Sequence, residues 1–153
     1  MSPLQLEPIG YVRGGRVENE DDAWGAVEAA IELAERLPPE SLQGLDAFSH
    51  AVVVFHFDRI ALADVKTGAR RPRGNPHWPE VGIFAQRGSP RPNRLGVTTV
   101  EVLGVDGRRL LVRGLDAIDG TPVLDIKPVM AGFEPRGAIR EPAWAREIMA
   151  AYW

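Results

Sequence analysis

Residues 51–57, Ala-Val-Val-Val-Phe-His-Phe, constrain the fold more than any other stretch of this chain. Nearly every one is β-branched or aromatic, and such side chains suit a pleated strand better than a helix. The unbroken apolarity of the run predicts a central strand covered on both faces. Other short runs flank it, each cut by turn residues. Residues 6–12 form one, with Ile9, Tyr11 and Val12 available to a core and Gly14-Gly15 ending it. Residues 97–105 and 109–114 form a hairpin through Asp106-Gly107, a pair that supplies the positive φ of a tight turn. Residues 123–126 follow the turn Ile118-Asp119-Gly120-Thr121, and residues 19–22 make an acidic turn.

Residues 27–34 fit two elements. Val27, Ala29, Ile31 and Leu33 alternate as in a strand, while Val27, Ala30, Ile31 and Ala34 share one helical face. Ala and Glu favour the helix. Pro38-Pro39 stops the element, and residues 39–42 suit a single helical turn. Residues 141–153 read as a peripheral helix, with Trp144, Ile148 and Tyr152 spaced at four. Short strands joined by turns, without repeat or linker, predict a single domain over residues 1–153. It is mainly β, a small closed antiparallel barrel with short peripheral helices.

Charge is unevenly spread. Residues 66–94 hold seven Lys or Arg (Lys66, Arg70, Arg71, Arg73, Arg87, Arg91, Arg94) against Glu80 alone, a net +6, so the rest carries −9 of a total −3. A cationic face on an acidic protein points to one anionic ligand or a nucleic-acid backbone at one place. Within that segment, residues 82–97 interleave Arg87, Arg91 and Arg94 with Pro90, Pro92 and Asn93. Proline fixes φ, and arginines on a stiff loop present fixed donor forks to carboxylate or phosphate. A solvated basic loop is the plainer alternative.

The chain has no cysteine, which excludes disulfides, thiolate metal sites and a Cys nucleophile. No apolar run approaches membrane-spanning length and no signal pattern opens the chain, so a cytoplasmic protein is expected, without a membrane partner. His50 and His56 stand six apart and share a strand face, but no third ligand has suitable spacing, so no metal is expected. His56 fits an interior histidine, whereas His50, at the strand's mouth after Ser49, fits a site residue. Ser49 or Ser89 with His50 and Asp116 would make a hydrolytic triad, but no Gly-x-Ser-x-Gly elbow supports it. Neither a Gly-x-Gly-x-x-Gly nor a phosphate-binding Gly-rich loop is present, which argues against Rossmann enzymes and NTPases.

Four motifs remain. They are Ile9-Gly10; Gly44-Leu45-Asp46-Ala47-Phe48-Ser49-His50 before the apolar strand; Gly-x-Phe-Ala-x-Arg-x-x-x-Arg-Pro-Asn-x-x-Gly over residues 82–96; and Leu-Asp-x-x-Asp-Gly-Thr-Pro-Val-x-Asp-Ile-Lys-Pro over residues 115–128. Over roughly residues 6–130 the set resembles the family of tRNA methyltransferases that act on threonylcarbamoyl-adenosine (TrmO, TsaA-like). The resemblance implies a β-barrel that dimerises, binds S-adenosylmethionine without a Rossmann fold, and transfers a methyl group to a base nitrogen beside the tRNA anticodon. It implies a strand at residues 27–34. By position it implies Arg59, Arg87, Val97, Leu115 and Asp116 at the cofactor, with Phe84, Arg91, Asn93, Thr121, Asp125 and Lys127 building or supporting the site. Asp119 and His50 are the candidates for a base, and Arg70, Arg71 and Arg73 for contacts to RNA phosphate. The Pro-Arg-Gln segment that often follows the family's first strand is missing from residues 14–24. A non-catalytic S-adenosylmethionine or nucleotide module, and methyl transfer to a small molecule, are the alternative functions.

Overall fold

Eight strands and a run of single helical turns make up the computed structural model, which describes all of residues 1–153. The strands are β1 Gly10–Arg13, β2 Glu28–Leu33, β3 His50–His56, β4 Ala69–Arg70, β5 Val81–Gly82, β6 Leu95–Asp106, β7 Arg109–Arg113 and β8 Pro122–Pro128. Six of them close a barrel in the order β1-β2-β7-β6-β3-β8, every neighbouring pair antiparallel, while β4 and β5 pair outside it. Closure leaves no free sheet edge in the barrel. Two irregularities in register help the sheet to bend: one between Val54 and Phe55 against β8, the other between Val102 and Gly104 against β7.

The barrel is filled by alternate residues. Val12, Ile31, Leu33, Ala51, Val53, Phe55, Val100, Leu110, Val112 and Val123 meet inside it, with Leu42, Leu115 and Ala117 closing the cluster. β3 shows the alternation clearly: Ala51, Val53 and Phe55 are buried, while Val52, Val54 and His56 are half-buried on the outer side. Its continuous apolarity therefore does not mean two covered faces. In a barrel one side of each strand looks outward, and the β-branched residues there serve strand geometry rather than a second core layer. Gly96 on β6 faces inward where a Cβ would stand 2.5 Å from Phe55 ring atoms, so glycine is what lets β6 and β3 approach at this point.

Residues 28–33 are a strand, as the family resemblance implied, paired with both β1 and β7. The hairpin between β6 and β7 turns at Gly107 with φ +59°, as the Asp-Gly pair predicted. β1 begins four residues later than the apolar run suggested. Pro8 brings no backbone donor, and Glu7 and the Pro8 carbonyl are held by Arg36 at 3.4 and 2.9 Å, which carries residues 7–8 towards Arg36. The predicted helix over 141–153 is shorter: α1 is Ala143–Ile148, and residues 151–152 leave it to bond the Ala23 and Trp24 backbone in the loop before β2.

Candidate functional site

A cleft of about 290 Å³ opens at one end of the barrel, lined by Val17, Glu18 and Asn19 of the loop after β1, by Phe55, Phe57, Asp58, Arg59 and Ile60 at the exit of β3, and by Asp116, Ala117, Ile118 and Thr121 before β8. Two of the cofactor candidates, Arg59 and Asp116, share it. Its floor is aromatic: Phe55 and Phe57 meet edge to face with ring centroids 5.2 Å apart. Its rim carries the carboxylates of Glu18, Asp58 and Asp116 with the guanidinium of Arg59.

Asp116 is the most tightly held polar group in the cleft. The Thr98 hydroxyl donates to its Oδ1 and the Tyr152 phenol to its Oδ2. Thr98 comes from an inward position of β6, where a buried hydroxyl needs a partner. Burial, then the bond to Asp116, pushes the Tyr152 pKa well above its ordinary 10.0, against the opposing pull of Arg73 and Arg87. The two guanidiniums therefore lie within electrostatic reach of the Asp116–Tyr152 pair.

The other candidates fall into three places. Arg87 sits beside β6 and donates to the Val97 carbonyl at 2.8 Å, and Val97 turns its side chain outward. Leu115 is fully buried and its side chain belongs to the core, next to Asp116 in the chain. Thr121 is buried and donates to the Ile118 carbonyl at 2.7 Å, which fixes the turn that carries Asp116–Thr121. Asp119 Oδ1 accepts from the Gly14 backbone N–H at 2.8 Å and so ties that turn to the end of β1. His50 is exposed, 2.7 Å from the Ser49 hydroxyl. It stands three residues along β3 from Val53, the partner of Thr98, hence about 10 Å from that point of the cleft wall. Asp125, paired with Lys127 at 3.0 Å, lines a second, apolar cavity with Ile9, Leu42, Leu45 and Phe48.

Most arginines of the basic segment are bonded to backbone carbonyls of this chain, inside the segment or beside it. Arg91 donates to the Gln86 carbonyl at 2.6 Å, Arg94 to Ile60 at 2.5 Å and Arg71 to Trp78 at 2.5 Å. Arg73 adopts φ +52° and pairs with Asp22 at 3.1 Å. Asn93 and Arg94 also take positive φ, +63° and +51°, in the tight turn entering β6. Phe84 is exposed on the loop surface. The guanidinium of Arg70 has no partner within the chain, although its carbonyl accepts from Gln86 at 2.8 Å. No group of three or more His, Cys, Asp or Glu side chains converges as a metal site. No helix is long and apolar enough to cross a membrane.

The model of the tRNA-methyltransferase O N-terminal domain family matches residues 19–134, and both the barrel and its motif-bearing loops lie largely within that span. The chain belongs to this family. A crystal structure of TrmO from Pseudomonas aeruginosa superposes with a TM-score of 0.72 at 29% identity, over 91% of this chain and 61% of that one. The tRNA (adenine(37)-N6)-methyltransferase of Homo sapiens is 31% identical over 91% of this chain and 33% of its own length. A probable S-adenosyl-L-methionine-binding protein of Methanothermobacter thermautotrophicus is 33% identical over 88% of this chain and 96% of its own length. Against its human and mouse relatives this TrmO-family domain spans about a third of the protein, 33% and 32%.

For a TrmO-family domain, the motifs drew attention to Asp116 but not to its two donors. Thr98 had a legible signal: a hydroxyl at an inward-facing position of an otherwise apolar strand. Tyr152 had none beyond its four-residue spacing from Ile148 and Trp144. Val17, Glu18 and Asn19 enter the cleft because Arg16 folds their loop, stacking on Trp24 at 4.5 Å and donating to the carbonyls of Asp22 and Ala23 at 2.7 and 2.5 Å.

Proposed function

We propose that this domain is an S-adenosylmethionine-dependent methyltransferase acting on threonylcarbamoyl-adenosine next to the tRNA anticodon. The observation that carries the reading is the convergence of Arg59 and Asp116 in one aromatic-floored cleft, with Arg87 nearby. The donor set suits this cofactor: an apolar floor for a flat base, a carboxylate acceptor for hydroxyl or amino groups, and guanidiniums for a carboxylate. When bound, the cofactor supplies a sulfonium methyl group. Phe55, Phe57 and Ile118 would exclude water from its apolar parts, and Asp116, Arg59 and Arg87 would orient its polar ends. Orientation alone accounts for a large share of the rate of such a transfer. The names of the human and mouse relatives support the activity and the tRNA substrate.

The acceptor implies the cytoplasm as the place of action. Leu95, Val97, Leu103 and Leu111 are exposed on the outer face of β6 and β7, and this apolar surface fits a homodimer contact. Light scattering should return about twice the chain mass of 16.8 kDa. The activity is tested by incubating the protein with labelled S-adenosylmethionine and tRNA from cells lacking it, then separating nucleosides. Label in the modified adenosine supports the reading, and unlabelled tRNA despite cofactor binding refutes it.

A second reading, a binding module without catalysis, has one observation in its favour. Asp119 is engaged by the Gly14 N–H and His50 lies outside the cleft, so neither candidate base lines it. Cofactor binding without methyl transfer to any tRNA pool would favour this reading.

A further inference from the structure

The segment that follows α1 packs against the loop that leads from β1 into β2. The Ala23 N–H donates to the Ala151 carbonyl at 3.0 Å and the Trp24 N–H to the Tyr152 carbonyl at 2.8 Å. Gly25 makes room for it: a Cβ there would stand 2.8 Å from the Trp153 carbonyl carbon. The end of α1 and the loop it rests on are both tied to the basic loop, since the Trp78 indole N–H donates to Glu147 of α1 at 2.6 Å and Arg73 pairs with Asp22 beside Ala23. Tyr152 is thereby aimed at Asp116 from outside the barrel, opposite the Thr98 hydroxyl.

A carboxylate offers about four lone-pair positions. Thr98 takes one on Oδ1 and Tyr152 one on Oδ2, so each oxygen keeps one acceptor position, and Asp116 still lines the cleft. The χ2 torsion of an aspartate is broad when nothing holds it. Two donors on opposite oxygens remove that freedom.

We propose that Tyr152 is a positioning residue of the cofactor cleft: with Thr98 it fixes the Asp116 carboxylate so that its remaining acceptor edge faces the space between Phe57, Arg59 and Ile118. The proposal rests on Asp116 being a cofactor contact. It also makes residues 147–153 the physical link between the basic loop and the cleft, because one segment touches both.

The test is calorimetric titration with S-adenosylhomocysteine of the full chain and of Tyr152→Phe, Thr98→Val, Asp116→Asn and the Tyr152→Phe/Asp116→Asn double variant. Loss of either donor should weaken affinity about tenfold, and loss of Asp116 at least as much. The double variant should bind no worse than Asp116→Asn, because Tyr152 acts through Asp116. A residue with a merely structural role would lower the melting temperature and leave the affinity of the folded protein unchanged. Thr98→Val keeps the question open to measurement should Tyr152→Phe fold poorly. Unchanged or tighter binding by Tyr152→Phe, with Asp116→Asn weakened, overturns this proposal alone. Wild-type affinity in Asp116→Asn overturns the placing of the cofactor itself.

Discussion

The Arg87 guanidinium donates to the Val97 carbonyl at 2.8 Å, which clamps the proline-rich loop to β6. The bond uses one of five guanidinium donors and leaves a planar fork held in one orientation. Lysine cannot reproduce that fork. Arg87→Lys and Arg87→Ala should therefore both weaken S-adenosylhomocysteine binding, by about 10- to 100-fold for the loss of a charged hydrogen bond. Calorimetry measures the affinity, and an unchanged circular dichroism spectrum would show that the barrel survives. Wild-type affinity in both variants would place the site elsewhere.

Gly96 governs how closely β6 and β3 approach. A methyl group there meets Phe55 at 2.5 Å and Phe57 at 2.9 Å, and both rings floor the cleft. Gly96→Ala should cost about 1–3 kcal/mol, the range for an overpacked core, in urea unfolding. It should also reduce cofactor affinity, since the rings must shift to admit the methyl. A stable variant with intact binding would show that the rings have room to move.

The barrel was legible in the sequence because its cause is local. The β-branched run at residues 51–57, the Asp106-Gly107 turn and the Gly14-Gly15 stop each act over a few residues, and all three fall where the strands and turns are. Residues 27–34 were not decided by pattern, since Ala and Glu favour helix; pairing with β1 and β7 overrides that preference. Part of the cleft was legible through motifs, which singled out Arg59, Asp116 and Thr121. Its remaining walls depend on long-range contacts. Tyr152 reaches Asp116 across 36 positions, and Asp119 meets Gly14 across 105. No spacing rule foresees such pairs. The arginines are hard to read in another way: a guanidinium aimed at a ligand and one that ties down backbone look alike in sequence, and Arg71, Arg91 and Arg94 each bond a backbone carbonyl.

His56 supplies a pH prediction. Burial, and then the nearby Arg94, lowers its pKa below the ordinary 6.5. The unfolded chain therefore binds a proton that the folded chain refuses, so stability falls as pH drops through 6.5 towards the folded value. His56→Gln should remove that component. Urea midpoints measured from pH 7.5 to 5 should decline less steeply in the variant than in the parent. Parallel curves would show that His56 titrates alike in both states.

The basic loop gives the sharpest separation between fold and RNA contact. Arg71 and Arg73 each hold backbone or an acidic partner, whereas Arg70 is free. Arg70→Glu should weaken tRNA binding and lower the salt dependence by about one phosphate contact, with an unchanged melting temperature. Arg71→Glu and Arg73→Glu should instead lower the melting temperature, because each strands a carbonyl or places like charges at Asp22. Arg73→Glu should in addition disturb cofactor affinity, since Asp22 neighbours the segment that carries Tyr152. Filter binding at two salt concentrations and thermal melts on the three single variants decide the matter. If Arg70→Glu leaves the salt slope untouched, the segment is a structural loop, and the RNA must be held on another face.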